Sequence, residues 1–437
     1  MTFIEQAISR MNSAVGKMLS VWDLSAVPAP GTTSLDRSVD CDVAIVGAGY
    51  TGLHAAVHLA GEGQAPVVLE AGGIGHGASG RNGGQVVPGL KHDPESLLRL
   101  GRRGEQIVAF AGNCAAETFV FIRANRLDCD ASQTGWVQPA VTPTQLDIVR
   151  RRAEQWRRIA GVDTRILDRD EVRDITGTSA YLGGWIDPRG GRLQPLSYAR
   201  ELGRLAIAKG AQIHTRSPVE SLARKNGAWL LRSNGYEVTA RNVIIATNGY
   251  RQPLLPELHR SIFPSHSVQI ATEPLDAARR AGILPAGLPV SDSRRLLKYF
   301  RFDADGRFMI GGRGSFGDED SGRHFDGLRA FAQKMFPQLE SVRWDHRWAG
   351  KIALTPDHLP HVHNPGQGLY AALGYNGRGI ALASQTGVLL GRLVQGMPHA
   401  ESPLPVTDIR QIPLHIFRRP ALEAAVAWYR LLDQLGR

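Results

Sequence analysis

An α/β fold is what this sequence predicts: a parallel, Rossmann-type sheet that holds a dinucleotide, joined to a second α+β domain. Three stretches carry the first part. Asp42 to Gly52 is a short apolar run that ends in Gly47-Ala-Gly49-Tyr50-Thr51-Gly52, the G-x-G-x-x-G spacing. Val67-Val-Leu-Glu70 is a second apolar run ending in an acid, 18 residues beyond Gly52. Gly80-Arg81-Asn82-Gly83-Gly84 is a glycine-rich loop soon afterwards.

Val43 to Val46 is β-branched, short and bounded by glycine, as a buried parallel strand should be. Gly47 permits the tight turn, and Gly49 lets backbone approach a pyrophosphate. Gly52 lets the following helix, about 50 to 60, pack closely on the strand. The amides at that helix start then face phosphate. Glu70, at the end of the next strand, is placed to accept from ribose hydroxyls.

The second domain follows from the order of the remaining patterns. Helical periodicity occupies 95 to 126, 144 to 160, 197 to 209 and 324 to 336. Short strands are expected at 212–215, 219–222, 228–232 and 236–239, then at Val243 to Gly249, 267–272, 297–302 and 307–311. Asp303-Ala-Asp-Gly306 joins the last two as a turn. Gly368 to Gly374 is a final strand, and Gly377-Arg-Gly-Ile opens a helix running to about 395. The nucleotide domain is therefore discontinuous, at 40–100, 195–255 and 345–397. The inserts 101–194 and 256–344 build a substrate domain with a mainly antiparallel sheet. Residues 1–39 and 398–437 are extensions.

Bulk composition narrows the class. The chain has 437 residues, 43% hydrophobic and 21% charged, ordinary for a globular protein of two domains. No apolar run reaches the roughly 18 residues of a membrane span. Met1 to Ser20 carries Glu5, Arg10 and Lys17, so no secretory leader is expected and the cytoplasm is the expected compartment. Three cysteines, Cys41, Cys114 and Cys129, lack metal-ligand spacing. The net charge of +10 is spread along the chain. Its densest runs, Arg150-Arg-Arg152 and Arg157-Arg158, fall within a helical pattern without interleaved aromatics, so no nucleic-acid partner is expected.

At this point the residues resemble the D-amino-acid oxidase (DAO) superfamily of FAD-dependent amine and amino-acid oxidases. That family has a glutathione-reductase-like FAD fold. Within it the chain is similar to the gamma-glutamylputrescine oxidase group. The resemblance spans about 41 to 395. It is carried by Asp42 to Leu53, by Leu69 to Gln85 with its Gly77-Ala-Ser-Gly-Arg-Asn-Gly-Gly-Gln85, and by Arg347-Trp-Ala-Gly350, Thr355-Pro-Asp357 and Gly374-Tyr-Asn-Gly-Arg-Gly379. A flavin needs backbone donors beyond those of a nicotinamide site, and a glycine-rich loop supplies them.

The resemblance implies FAD, bound noncovalently, because no cysteine lies beyond 129 to form a late thioether and His76 is not expected to attach it. It implies cofactor contacts from Gly47, Gly49, Tyr50, Thr51, Gly52, Glu70 and Ala71. In the glycine-rich loop it implies Ala78, Ser79, Arg81, Asn82, Gly83, Gly84 and Gln85. Farther along it implies Val219 against adenine and Ala246, Asn248 and Gly249 near the pyrophosphate. Gly374, Asn376, Gly377, Gly379 and Ile380 close the set, with a helix start facing the ring edge where negative charge accumulates on reduction. The expected reaction removes hydride from a carbon bearing a neutral amine and yields an imine, with O2 as acceptor.

Substrate-side candidates are Lys351, Tyr299, Arg301, Gln85 and Trp348. Tyr299 and Arg301 alternate on one strand and share a face; that face lines the pocket, with Arg301 pairing a carboxylate, or points outward. Lys351 either aids oxygen or holds an anionic group, or is a surface lysine. His54 and His58 are read as packing or exposed residues. The alternative to an oxidase is a dehydrogenase delivering electrons to a quinone or carrier protein, with Leu414, Phe417 and the helical stretch Ala421 to Leu435 available for membrane or partner contact. An NAD(P)H-using flavoprotein needs a second dinucleotide unit, and Gly311 to Gly317 lacks the required helix.

Overall fold

The computed structural model describes residues 20–250, 254–316 and 322–434. Two large sheets dominate it. The first has nine strands, ordered across its main path 406–407, 361–366, 369–373, 236–245, 39–46, 67–69 and 212–214. Val39–Val46 pairs in parallel with Tyr236–Ile245 on one side and Val67–Leu69 on the other. Its last four residues are buried, as both faces of a parallel sheet are when helices cover them. Tyr50–Gly61 and Gly379–Val394 are two of those helices. They cross closely enough that a Cβ on Gly387 would lie 2.4 Å from the carbonyl oxygen of Thr51.

The second sheet has eight strands, ordered 346–354, 263–274, 307–313, 299–302, 290–291, 136–140, 183–187 and 165–167. Every pairing in it is antiparallel except 290–291 with 136–140. Strands 299–302 and 307–313 form the expected hairpin: Asp303 Oδ1 accepts from the amide of Arg307 at 2.8 Å, and Gly306 takes φ +80°. A two-stranded piece, Gln85–Val86 with Gly191–Arg192, ties the glycine-rich loop to the substrate-side insert.

Three assignments differ from the sequence reading. Residues 346–354 were placed in the nucleotide domain, but they form the edge strand of the antiparallel sheet, paired with Phe263–Pro274 along nine residues. Strands expected separately at 236–239 and 243–249 are one ten-residue strand, half of it in the antiparallel extension and half in the parallel sheet. The helix Arg102–Ala124 belongs by sequence to the substrate insert, yet its apolar face joins the core of the nucleotide side. Its length and apolar content would suit a membrane span, but it packs there with half of that window buried. Gly317 and Leu435 lie outside the described residues.

His54 shows how tightly the first helix is held. It is 1% exposed, with Nε2 2.8 Å from the Tyr198 hydroxyl and its ring 4.8 Å from that of Phe121. Burial lowers its pKa from 6.5 to about 3. The unfolded chain thus takes up a proton below about pH 6.5 that the folded chain refuses. Stability from this site is complete above pH 6.5 and is lost as pH falls toward 3, by about 1.4 kcal/mol per pH unit. Urea melts at pH 7 and 5 should separate less in His54→Gln than in the parent; an equal separation would assign the acid sensitivity elsewhere.

Candidate active site

A single cavity of about 750 Å³ runs between the two sheets. One end lies at the carboxyl ends of the parallel strands, where Gly47, Glu70, Val219 and Ala246 line it. The other end is walled by the antiparallel sheet, including Trp136, Gln138, Ser267, Tyr299 and Lys351. The glycine-rich loop forms the floor between them through Ala78, Ser79, Arg81, Asn82, Gly83 and Gln85.

Close packing explains the glycines of the first turn. Gly47 has φ +108°, and a Cβ there would meet the Ala246 carbonyl oxygen at 2.9 Å. Gly49 faces Ser79 at the same distance. Ser79 Oγ accepts from the Tyr50 amide at 3.0 Å, so the two loops are stitched together at the helix start. Glu70 Oε2 accepts from the Ala48 amide at 2.8 Å and Oε1 from the Gly72 amide at 2.7 Å. A carboxylate has about four acceptor positions, so capacity remains for a ribose hydroxyl in the cavity.

The glycine-rich loop is anchored mainly through its own backbone. Asn82 Nδ2 donates to the carbonyls of Ser79 and Ala78, and its Oδ1 accepts from the Gly84 amide at 2.8 Å. Trp22, from the N-terminal extension, donates its indole N–H to the Asn82 carbonyl at 2.8 Å. The Arg81 carbonyl accepts from Gln269 and from Trp348, while Arg81 Nε donates to the Ala349 carbonyl at 2.6 Å. Gln85 reaches the other sheet, donating to the carbonyls of Val290 and Phe300 and accepting from Ser291 Oγ at 2.8 Å.

The C-terminal turn is shaped by two asparagines in the left-handed region, Asn248 at φ +47° and Asn376 at φ +53°. Asn248 Oδ1 accepts from the Gly374 amide, and Asn376 Nδ2 donates to the Gly374 carbonyl at 2.6 Å. Gly377 follows at φ +86°, and the helix Gly379–Val394 then points its first amides toward the cavity, which Gly379 and Ile380 line. Two helix starts, a carboxylate with acceptor capacity and closely packed glycine turns along one cavity suit FAD.

Of the sequence candidates, Thr51, Ala71, Asn376 and Gly377 also line the cavity. Gly52, Gly84, Gly249 and Gly374 do not; they act beneath it, where backbone approaches Gly52 and Gly249, the Arg301 guanidinium and the Leu193 carbonyl approach Gly84, and the Thr355 side chain approaches Gly374. Tyr299 faces the cavity with its hydroxyl 2.7 Å from Ser267 Oγ, and Lys351 lines the same wall. Arg301 and Trp348 are not in the wall. Arg301 is 1% exposed, donates from Nε to the Gly83 carbonyl and from Nη2 to the Leu193 carbonyl, and lies 5.0 Å from the Trp22 ring centroid. Its geometry braces the glycine-rich loop and leaves no fork for a substrate carboxylate. Trp348 is fully buried against Val21 and Trp22. Gly311 to Arg313 lies in the strand 307–313, with no phosphate-binding turn. Sequence reasoning missed Lys91, Arg295, Arg313 and Arg378 as cavity residues; Arg378 sits inside a quoted motif, whereas the others carried no pattern.

Comparison with known proteins agrees with this geometry. The chain is 32% identical over 414 residues to the gamma-glutamylputrescine oxidoreductase of Escherichia coli, covering 92% of this chain and 95% of that one. It is 31% identical over 421 residues to a probable oxidoreductase OrdL of Haemophilus influenzae, covering 93% and 94%. The fold superposes on glycine oxidase from Geobacillus kaustophilus with a TM-score of 0.72 at 23% identity, over 83% of this chain and 96% of that chain. L-proline dehydrogenase from P. horikoshii gives 0.71 at 19% identity, over 84% and 96%. Residues 42–393 match the family described as DAO, FAD dependent oxidoreductase, and the chain belongs to that family.

Proposed function

We propose that this flavoenzyme oxidises the C–N bond of an amine or amino acid, as a gamma-glutamylputrescine-oxidase-like enzyme, with O2 as acceptor and H2O2 as product. One observation supports this above all: the FAD cradle and the wall bearing Tyr299 and Lys351 belong to one continuous cavity. Bound FAD supplies the two-electron acceptor for hydride. The chain's own groups bind and orient the amine. The cationic wall lowers the pKa of a bound ammonium, favouring the neutral amine that hydride loss requires, so no dedicated general base is needed. The imine product then hydrolyses in water to a carbonyl compound.

FAD is held noncovalently in this reading. Cys41, Cys114 and Cys129 are absent from the cavity wall, and His76, which lines it, sits in the glycine-rich stretch. Acid precipitation should leave yellow flavin in the supernatant; a coloured pellet would refute it. Lys351→Met should keep the flavin content and lower kcat/KM about tenfold, the loss of one charged contact. Stopped-flow reduction and reoxidation would show which half-reaction it serves, and a variant with unaltered rates would remove Lys351 from the site.

A dehydrogenase passing electrons to a quinone or carrier protein is the second reading, favoured by the C-terminal segment. Leu414, Ile416, Phe417, Trp428 and Leu431 are 44–80% exposed, and no described residue of the helix Arg418–Gln434 is buried. Peroxide release with an amine panel supports the oxidase. Flavin bleaching that persists in air and reverses with a quinone supports the second reading.

A further inference from the structure

The substrate end of the cavity is strongly cationic. Lys91, Arg313 and Arg378 reach it from three separate elements: the loop after Gln85–Val86, the end of the strand 307–313, and the turn before the last long helix. Arg378 donates to the Pro88 carbonyl and lies 5.8 Å from the Trp136 ring centroid. Arg313 lies 5.1 Å from the ring centroid of Phe316. Lys91 is exposed and lines the cavity, yet protein surrounds it densely enough to desolvate it. Both arginines are near enough to repel Lys91, which sits at a pKa of about 8, through burial first and these like charges second.

None of the three has an ion-paired carboxylate among the described residues; Asp187 and Asp93 lie near Arg378 but are already paired with Arg189 and Arg152. Two carboxylates line the cavity, and both are engaged elsewhere. Glu70 holds the Ala48 and Gly72 amides at the far end, and Asp292 is paired with Arg294 and accepts from the Lys298 amide at 2.9 Å. Three cations without an ion-paired carboxylate among the described residues, converging on one concave space, repel one another unless an anion fills it. A simple diamine would add positive charge there and is selected against. One carboxylate would leave two of the three unmatched, and Lys351 and Arg295 line the same cavity. A second carboxylate matches more of that charge.

We propose that Lys91, Arg313 and Arg378 form an anion-recognition site that selects amine substrates carrying two carboxylates. This rests on the reading of the cavity as an amine-oxidising site and narrows it away from gamma-glutamylputrescine itself, which carries a single carboxylate. The test is calorimetric titration of the holoenzyme at constant ionic strength with glutarate, acetate and inorganic phosphate as probes. Glutarate should bind at least about tenfold more tightly than acetate, and Lys91→Met and Arg313→Gln should each weaken glutarate about tenfold, the loss of one charge-assisted contact. An unchanged flavin spectrum in both variants shows that the fold is intact. Equal binding of glutarate and acetate, variants that keep the parental preference, or a preference for phosphate over glutarate would each overturn the assignment. A preference for glutarate in protein that oxidises no amine would uphold the anion site and refute the oxidase reading instead. Anaerobic flavin reduction by aminodicarboxylates, compared with monocarboxylate amines of equal length, should follow the same preference.

Discussion

Gly52→Ala is expected to destabilise the protein by about 3 kcal/mol or more and to abolish FAD binding. A Cβ at this position would lie 1.9 Å from the carbonyl oxygen of Gly47 and 3.2 Å from Ile45 Cγ2. The first contact is backbone to backbone, so no rotamer change relieves it. Either the helix Tyr50–Gly61 lifts from the strand or the turn at Gly47 opens. Overpacking in a dense core costs about 1–3 kcal/mol, and more where only backbone can yield. Both movements displace the amides of the first turn, so the cofactor should be lost along with the stability. Gly73→Ala is the matched control, since a Cβ there meets nothing within 4 Å. Thermal melts and flavin content should separate the two; a Gly52→Ala protein that stays yellow and stable would mean that the helix has room to shift.

The G-x-G-x-x-G spacing carries this steric logic in the sequence itself. The same holds for the glycine-rich loop and for Asn376 and Gly377. Their types answer to local backbone demands: a positive φ, a close approach, a carbonyl that needs a donor. The substrate wall was less legible. Tyr299 and Arg301 share a strand face, as alternation requires, yet only Tyr299 reaches the cavity. The Arg301 guanidinium passes under the glycine-rich loop, where the Gly83 and Leu193 carbonyls await a donor. Alternation sets the face, while the neighbouring loop decides what that face touches. Residues 346–354 were misassigned for a related reason. A strand's own composition does not say which of two sheets it joins, and the pairing with Phe263–Pro274 is a long-range fact. Lys91 had no local signature because its importance comes from Arg313 and Arg378, each more than 200 positions away in sequence.

Glu70→Ala should weaken FAD binding by about 2–3 kcal/mol, or about 30- to 150-fold in Kd, with a smaller effect on the fold. The carboxylate joins two loops by accepting from the Ala48 and Gly72 amides. Hydrogen bonds to a charged acceptor contribute about 1.5–3 kcal/mol each, but Gly72 borders the cavity and its amide regains water when the side chain is removed, so the folded apoprotein loses only part of that. FAD binding loses more. The amide of Ala48 is no longer held in the turn expected to receive the pyrophosphate, and the carboxylate expected to accept from a ribose hydroxyl is gone. Glu70→Gln is the more informative partner. Its amide oxygen can still accept from one N–H, but its NH2 faces the other with donor against donor, so it should fall between the parent and Glu70→Ala if geometry and charge both matter. Titrating apoprotein of all three with FAD, followed by fluorescence quenching, gives the ranking. Equal affinity of Glu70→Gln and the parent would show that a neutral acceptor suffices. Equal affinity of all three would mean that the glycine loops alone hold the adenosine half and that Glu70 serves only the fold.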